Sequence, residues 1–135
     1  MPAGYSGTPL AKKLGIESGH RVGLIGAPEG FEATLEGLPE DVRLSRRAAG
    51  RFDVIVFFTK RAAELERRFG RLAARLDKAG GLWVAWPKKA SGVATDVVEG
   101  LVRRTGLGGG LVDNKICAID ETWSALRFVY RLRDR

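Results

Sequence analysis

The sequence contains one cysteine, one histidine and one methionine in 135 residues. A lone Cys117 forms no disulfide within the chain, which fits a reducing compartment and a cytoplasmic protein. His20 and Cys117 stand in different elements, so a zinc site or a thiol–imidazole pair has no basis and no metal is expected. Cys117 lies in an apolar run with Ile116, Ala118 and Ile119, where a buried, inert thiol is the expected state. No apolar stretch approaches the length of a membrane span, and the first thirty residues lack a long hydrophobic segment. Neither membrane insertion nor secretion is expected. Internal repeats and low-complexity tracts are also missing.

What remains is the composition of an ordinary folded domain: 44% hydrophobic and 29% charged residues in 14.7 kDa. A chain of this size hides about 68% of its unfolded surface, enough for one core without covalent staples. The expected layout is an N-terminal arm over residues 1–8 and a single α/β domain over 9–135. Lys and Arg number 23 against 16 Asp and Glu, a net charge of +7. Such a balance favours an anionic partner: nucleic acid, an anionic ligand or an acidic protein surface. The arginines are scattered from Arg21 to Arg135, a distribution that a plain solubilising surface would share.

Local patterns give the elements. Pro9 to Leu14 reads as a short helix closed by Gly15. Arg21 to Ala27 is a buried strand entering the turn Gly26-Ala27-Pro28-Glu29-Gly30, and Phe31 to Glu36 a brief helix. Val42 to Ser45 reads as a short strand. Phe52 to Phe58 (FDVIVFF) is apolar on both faces, as in a parallel sheet covered by helices. Thr59 then caps a helix to Lys78 striped by Leu65, Phe69, Leu72 and Leu76, with Arg67, Arg68, Arg71 and Arg75 outside. Gly80-Gly81 closes it. Leu82 to Trp86 is a buried strand, and Val93 to Thr105 a helix with Val97, Val98, Leu101 and Val102 inward and Gly106 at its end. Two strands, Leu111 to Ile119 and Ala125 to Leu132, form a terminal antiparallel hairpin. The order indicates a three-layer, mostly parallel α/β sheet.

In such a sheet, ligands lie outside the carboxyl ends of the strands. Three loops are expected on that edge. The first carries Gly26, Pro28, Glu29 and Gly30, the second Trp86, Lys88, Lys89 and Ser91, and the third Asp120, Glu121 and Trp123. The glycine turn can offer free N–H groups to an anion or simply tighten a strand-to-helix connection. The lysines supply charge to a ligand or pair with Glu29, Asp120 and Glu121. Trp86 and Trp123 stack a flat ligand or pack the core. Ser91 has no histidine beside it, so a cap is a better reading than a nucleophile.

These residues resemble two groups of proteins. Leu14 to Val22 with Gly26 and Gly30, Phe52-Asp53-Val54-Ile55-Val56, and Leu76 through Gly80-Gly81-Leu82-Trp83-Val84 resemble the class I S-adenosylmethionine-dependent methyltransferase fold. The resemblance implies a Rossmann-like sheet, here lacking one helix–strand unit because Val42 to Phe52 is too short to hold it. A second likeness is to a small uncharacterised bacterial family. It rests on Ala3 to Ile16 (AGYSGTPLAKKLGI), Gly26 to Phe31 (GAPEGF), Trp86 to Gly92 (WPKKASG) and Asp120 to Ser124 (DETWS), and it implies relatives without implying a reaction.

Against the methyltransferase pattern, Pro28 stands at the middle glycine of the first turn and Leu24 at the usual acid. Ser45 and Arg46 stand where an acid would hold the ribose hydroxyls. Proline also removes a backbone donor. These departures argue against S-adenosylmethionine, and no cofactor is expected. The leading expectation is therefore a non-catalytic, methyltransferase-like domain binding an anionic small molecule or a macromolecule at the carboxyl edge. The alternatives are a minimal methyltransferase with an atypical cofactor site, and weak nucleic-acid binding through Arg67, Arg68, Arg71 and Arg75. The arm from Gly4 to Thr8 is expected to fold over that edge.

Overall fold

Phe52–Phe58 (β3) is the middle of the molecule because every one of its residues except Asp53 is buried. In the computed structural model, which describes residues 7–135, it alternates between two apolar layers. Ile55 and Phe57 face one, and Val54, Val56 and Phe58 face the other. Around it lie Arg21–Ile25 (β1), Arg43–Ser45 (β2), Leu76–Pro87 (β4), Leu111–Ala118 (β5) and Trp123–Tyr130 (β6). The six strands run in the order β2-β1-β3-β4-β6-β5. The first four are mutually parallel, and β6 is antiparallel to both β4 and β5. Only residues 46–51 separate β2 from β3, so the sheet ends at β2 and one helix–strand unit is missing, as the sequence implied.

Helices Ala62–Ala74 (α2) and Glu99–Gly108 (α3) cover one face through Leu65, Phe69, Leu72 and Val102. Leu10–Lys13 (α1) and the 3₁₀ turn Phe31–Thr34 cover the other through Ala11, Phe31 and neighbouring Leu14 and Leu35. Trp83, fully buried, donates its indole N–H to the Leu14 carbonyl at 3.0 Å, which ties the α1 segment to the sheet. Among the described residues no buried side-chain polar atom lacks a partner, as a close-packed interior requires. None of the helices among them is long and apolar enough to cross a membrane.

Several boundaries differ from the sequence expectation, each for a tertiary reason. The helix expected to reach Lys78 stops at Ala74, because Leu76 pairs with Phe52 in the sheet. Gly81 is next in register, opposite Val54, so residues 77–80 bulge out of β4. Gly80 and Gly81 thus lie within a strand. A Cβ on Gly80 would strike the Asp53 carbonyl, and one on Gly81 the Arg127 guanidinium. The helix expected from Val93 begins only at Glu99, leaving Val98 half exposed instead of inward. Gly106 does not end α3 but lies within it, where any Cβ would enter the Phe128 ring. Cys117 is intermediate in exposure, not fully buried, and burial pushes its thiol pKa up. Residues 4–6 of the N-terminal arm lie outside the described residues.

Candidate functional site

From β1 the chain moves to β2 on one side and then returns to β3 on the other, so the order of strands reverses between β1 and β3. Their carboxyl ends are held close. Gly26, just past β1, has φ of 70°, and a Cβ there would lie 2.7 Å from the Phe58 carbonyl oxygen. Only glycine meets both conditions without displacement. Beyond these two ends opens a cavity of about 530 Å³. Its size falls within the range of small-molecule pockets, and a reversal point of this kind is where open α/β sheets bind ligands.

Gly26, Pro28, Phe58 and Trp123 line the cavity together with residues between Thr59 and Arg67. Phe58 joins three segments, lying edge-to-face against Phe31 at 4.9 Å and against Trp123 at 5.1 Å. Thr59 is buried and donates its hydroxyl to Glu64 at 2.7 Å. It does not cap α2. Asp96 does so from another segment, accepting the Ala62 N–H at 2.7 Å, while Thr95 donates to the Lys60 carbonyl at 2.7 Å. These two bonds tie the non-helical 92–98 segment to the start of α2. Lys60, Arg61 and Arg67 carry their charges along the cavity wall without a side-chain acceptor among the described residues.

The β1 turn is pinned from outside. Arg46, just after β2, donates to the Ala27 carbonyl at 2.8 Å and the Pro28 carbonyl at 2.9 Å. The same guanidinium grips Glu32 through two bonds of 2.7 and 2.8 Å. Those bonds, reinforced by the residue's own backbone N–H, bring the Glu32 pKa down from 4.5 to about 2. The helix expected over Phe31 to Glu36 is only the turn Phe31–Thr34, closed by Thr34 donating to the Phe31 carbonyl. It is too short to present a helix N-terminus to an anion. Glu29 and Gly30 are exposed, and Gly30 takes a left-handed conformation at φ 77°.

Strand directions put the other two loops on the same edge, where Pro87 is opposite Trp123. Their polar groups largely satisfy one another. Lys88 donates its backbone N–H to Thr122 and its ammonium to the Asp120 carbonyl, both at 2.7 Å. The Asp120 carboxylate accepts the N–H groups of Thr122 and Trp123. Ser91 donates to the Lys88 carbonyl at 2.6 Å and closes its own turn. Lys89 and Glu121 are exposed, whereas Trp86 is 6% exposed and packs beneath α2 and α3. The cavity therefore gathers Gly26, Pro28 and Trp123, leaves the lysine and acidic residues on the adjoining rim, and assigns Trp86 to the core.

Thr59, Lys60, Arg61, Glu64 and Arg67 were missed as cavity residues. The signal was present, because they follow the clearest strand in the chain at the edge where ligands bind. His20 lies at the other edge, its Nδ1 accepting the Glu17 N–H. No group of metal-ligating side chains exists among the described residues.

Solved structures share this fold. Magnesium protoporphyrin IX methyltransferase (ChlM) from Synechocystis, with bound SAH, is 14% identical over 84% of this chain and 75% of its own, with a TM-score of 0.58. Precorrin-6y C5,15-methyltransferase from Geobacter metallireducens is 11% identical over 90% of this chain and 86% of its own, with a TM-score of 0.61. No family model and no curated protein sequence matches the chain, so the likeness to the small bacterial family has no support from those comparisons. The expectation against S-adenosylmethionine is corrected. ChlM is seen with SAM as well as SAH, so a protein of the same fold holds this cofactor, and departures at Leu24, Pro28, Ser45 and Arg46 are not sufficient ground to expect its absence. The chain has the class I methyltransferase-like α/β fold, reduced by one helix–strand unit.

Proposed function

We propose that this chain is a minimal methyltransferase-like domain that holds S-adenosylmethionine in the cavity between the ends of β1 and β3. The observation that carries the reading is the position of that 530 Å³ cavity at the strand-order reversal. The residues present fit an adenosyl ligand. The half-buried Trp123, backed by the buried Phe58, supplies apolar ring surface for a flat base, and Gly26 lets the backbone come close. Glu64 supplies a carboxylate that hydroxyl groups or a positive sulfur can meet. Arg46 does not oppose the fit, since its guanidinium is engaged by Ala27, Pro28 and Glu32. When bound, the cofactor supplies an electrophilic methyl group. The protein's part is positioning and exclusion of water, which suffice for a large share of such a rate enhancement.

Calorimetric titration with S-adenosylmethionine and with its demethylated product tests this reading. Saturable one-site heat for both supports it, and silence at millimolar ligand ends it. A second reading has its own observation: Lys60, Arg61 and Arg67 line the cavity without side-chain acceptors. They suit a non-catalytic domain that takes an anionic small molecule. Under that reading inorganic phosphate or a nucleotide raises the melting temperature, while S-adenosylmethionine does not.

A further inference from the structure

We propose that the outer face of α2 is a track for single-stranded nucleic acid leading into the cavity, which makes such a strand the substrate class. Calling it a substrate rests on the methyltransferase reading; the binding itself does not. Arg67 and Arg71 on α2 and Arg75 at its C-cap recur at every fourth residue, about 6 Å apart along the axis. With Arg68, Ala48 and Leu72 they line a trough of about 660 Å³. Arg67 and Arg71 have no side-chain acceptor among the described residues. Arg75 donates to the Gly50 carbonyl at 3.2 Å, and Arg68 lies 3.8 Å from Glu64 and 5.4 Å above the Phe57 ring. Like charges stacked turn upon turn destabilise a helix, so the row needs a reason beyond folding.

Arg67 lines both the trough and the cavity, so the two adjoin at that side chain. The same cavity is lined by the half-buried Trp123, whose ring rests on the buried Phe58. A cationic row that follows a phosphate backbone and ends on aromatic rings is the means by which unpaired strands are held. A duplex keeps its bases paired and has none to offer Trp123. An acidic peptide meets the charge but brings no planar base. Glu64, on the same face, is bonded to Thr59 and lies beside Arg68, so it leaves the row cationic.

The test is fluorescence anisotropy with a labelled single-stranded oligonucleotide, titrated over a range of salt. Three phosphate contacts give a log–log slope near −2, at about −0.7 per contact on a single strand. Arg67→Gln and Arg71→Gln should each weaken binding severalfold and flatten that slope by about 0.7, whereas Arg71→Lys should keep it. Arg133→Gln, in the C-terminal 3₁₀ turn, should change neither. Unchanged slopes in both Gln variants overturn the proposal. So does equal competition by heparin, which would mark a general polyanion surface, or by duplex of the same length. The thermal response to S-adenosylmethionine, read on the same proteins, separates the two ideas. Arg71 lies outside the cavity, so Arg71→Gln should keep that response. A cofactor response without oligonucleotide binding defeats only the track, and oligonucleotide binding without a cofactor response defeats only the cofactor reading.

Discussion

Gly26 sits so near Phe58 that a methyl group on its Cα would lie 2.7 Å from the Phe58 carbonyl oxygen, at a backbone φ of 70°. The two strand ends bordering the cavity are thus fixed by a missing side chain. Gly26→Ala should destabilise the fold by about 2–3 kcal/mol, combining left-handed strain with displacement of backbone. Gly92→Ala is the control, with φ of 75° but open space around it. It should cost about 1 kcal/mol. Urea unfolding midpoints compare the two directly.

The Arg46 clamp on Glu32 makes the β1 turn acid-sensitive. Glu32 titrates at about 2 in the folded chain, against an ordinary 4.5. A lowered carboxyl pKa stabilises above the ordinary value, and the contribution is lost as pH falls from about 4.5 toward 2. Carboxyl resonances followed by NMR should give Glu32 a midpoint near 2, and Arg46→Gln should move it back toward 4.5. The amide signals of Ala27 and Phe31 should shift in step with it.

Asp96, in the segment just before α3, caps α2 through the Ala62 N–H. Asp96→Ala should cost about 1 kcal/mol, the usual loss of an N-cap. Amide exchange at Ala62 and Ala63 should quicken before the rest of α2. Uniform protection along the helix would show the bond to be unimportant.

The two tryptophans of the carboxyl edge should behave in opposite ways. Trp86→Ala empties a core position that is 6% exposed and should cost about 3–5 kcal/mol. Trp123→Ala lines the cavity and should cost less stability while weakening adenosyl binding by about tenfold, or 1.4 kcal/mol. Thermal unfolding with and without ligand separates the effects.

Much of the architecture was legible because burial writes itself into periodicity. Phe52–Phe58 is a strand from first to last residue as expected, since an apolar run on both faces has few other uses. Leu76 misled because it continues the stripe of Leu65, Phe69 and Leu72 at helical spacing, yet its partner is Phe52 across the sheet. Gly80-Gly81 looked like a helix stop, but its purpose is clearance for Asp53 and Arg127. Val93 to Val98 looked helical and is not, because Thr95 and Asp96 bond to the start of α2. Those bonds span more than thirty residues, and no local pattern records them. The same limit hid most of the cavity. Pro28 and Arg46 were visible as departures from a family pattern, whereas the pairing of Arg46 with Glu32 was not.

An adenosyl ligand is proposed to occupy the space between Gly26, Phe58 and Trp123. Calorimetry with S-adenosylmethionine on the native chain and on Trp123→Ala tests it most directly. The expected result is a single saturable site in the native chain, weakened about tenfold by the substitution and untouched by Lys89→Ala on the exposed rim. No heat from the native chain at millimolar cofactor, or equal binding by Trp123→Ala, would contradict it.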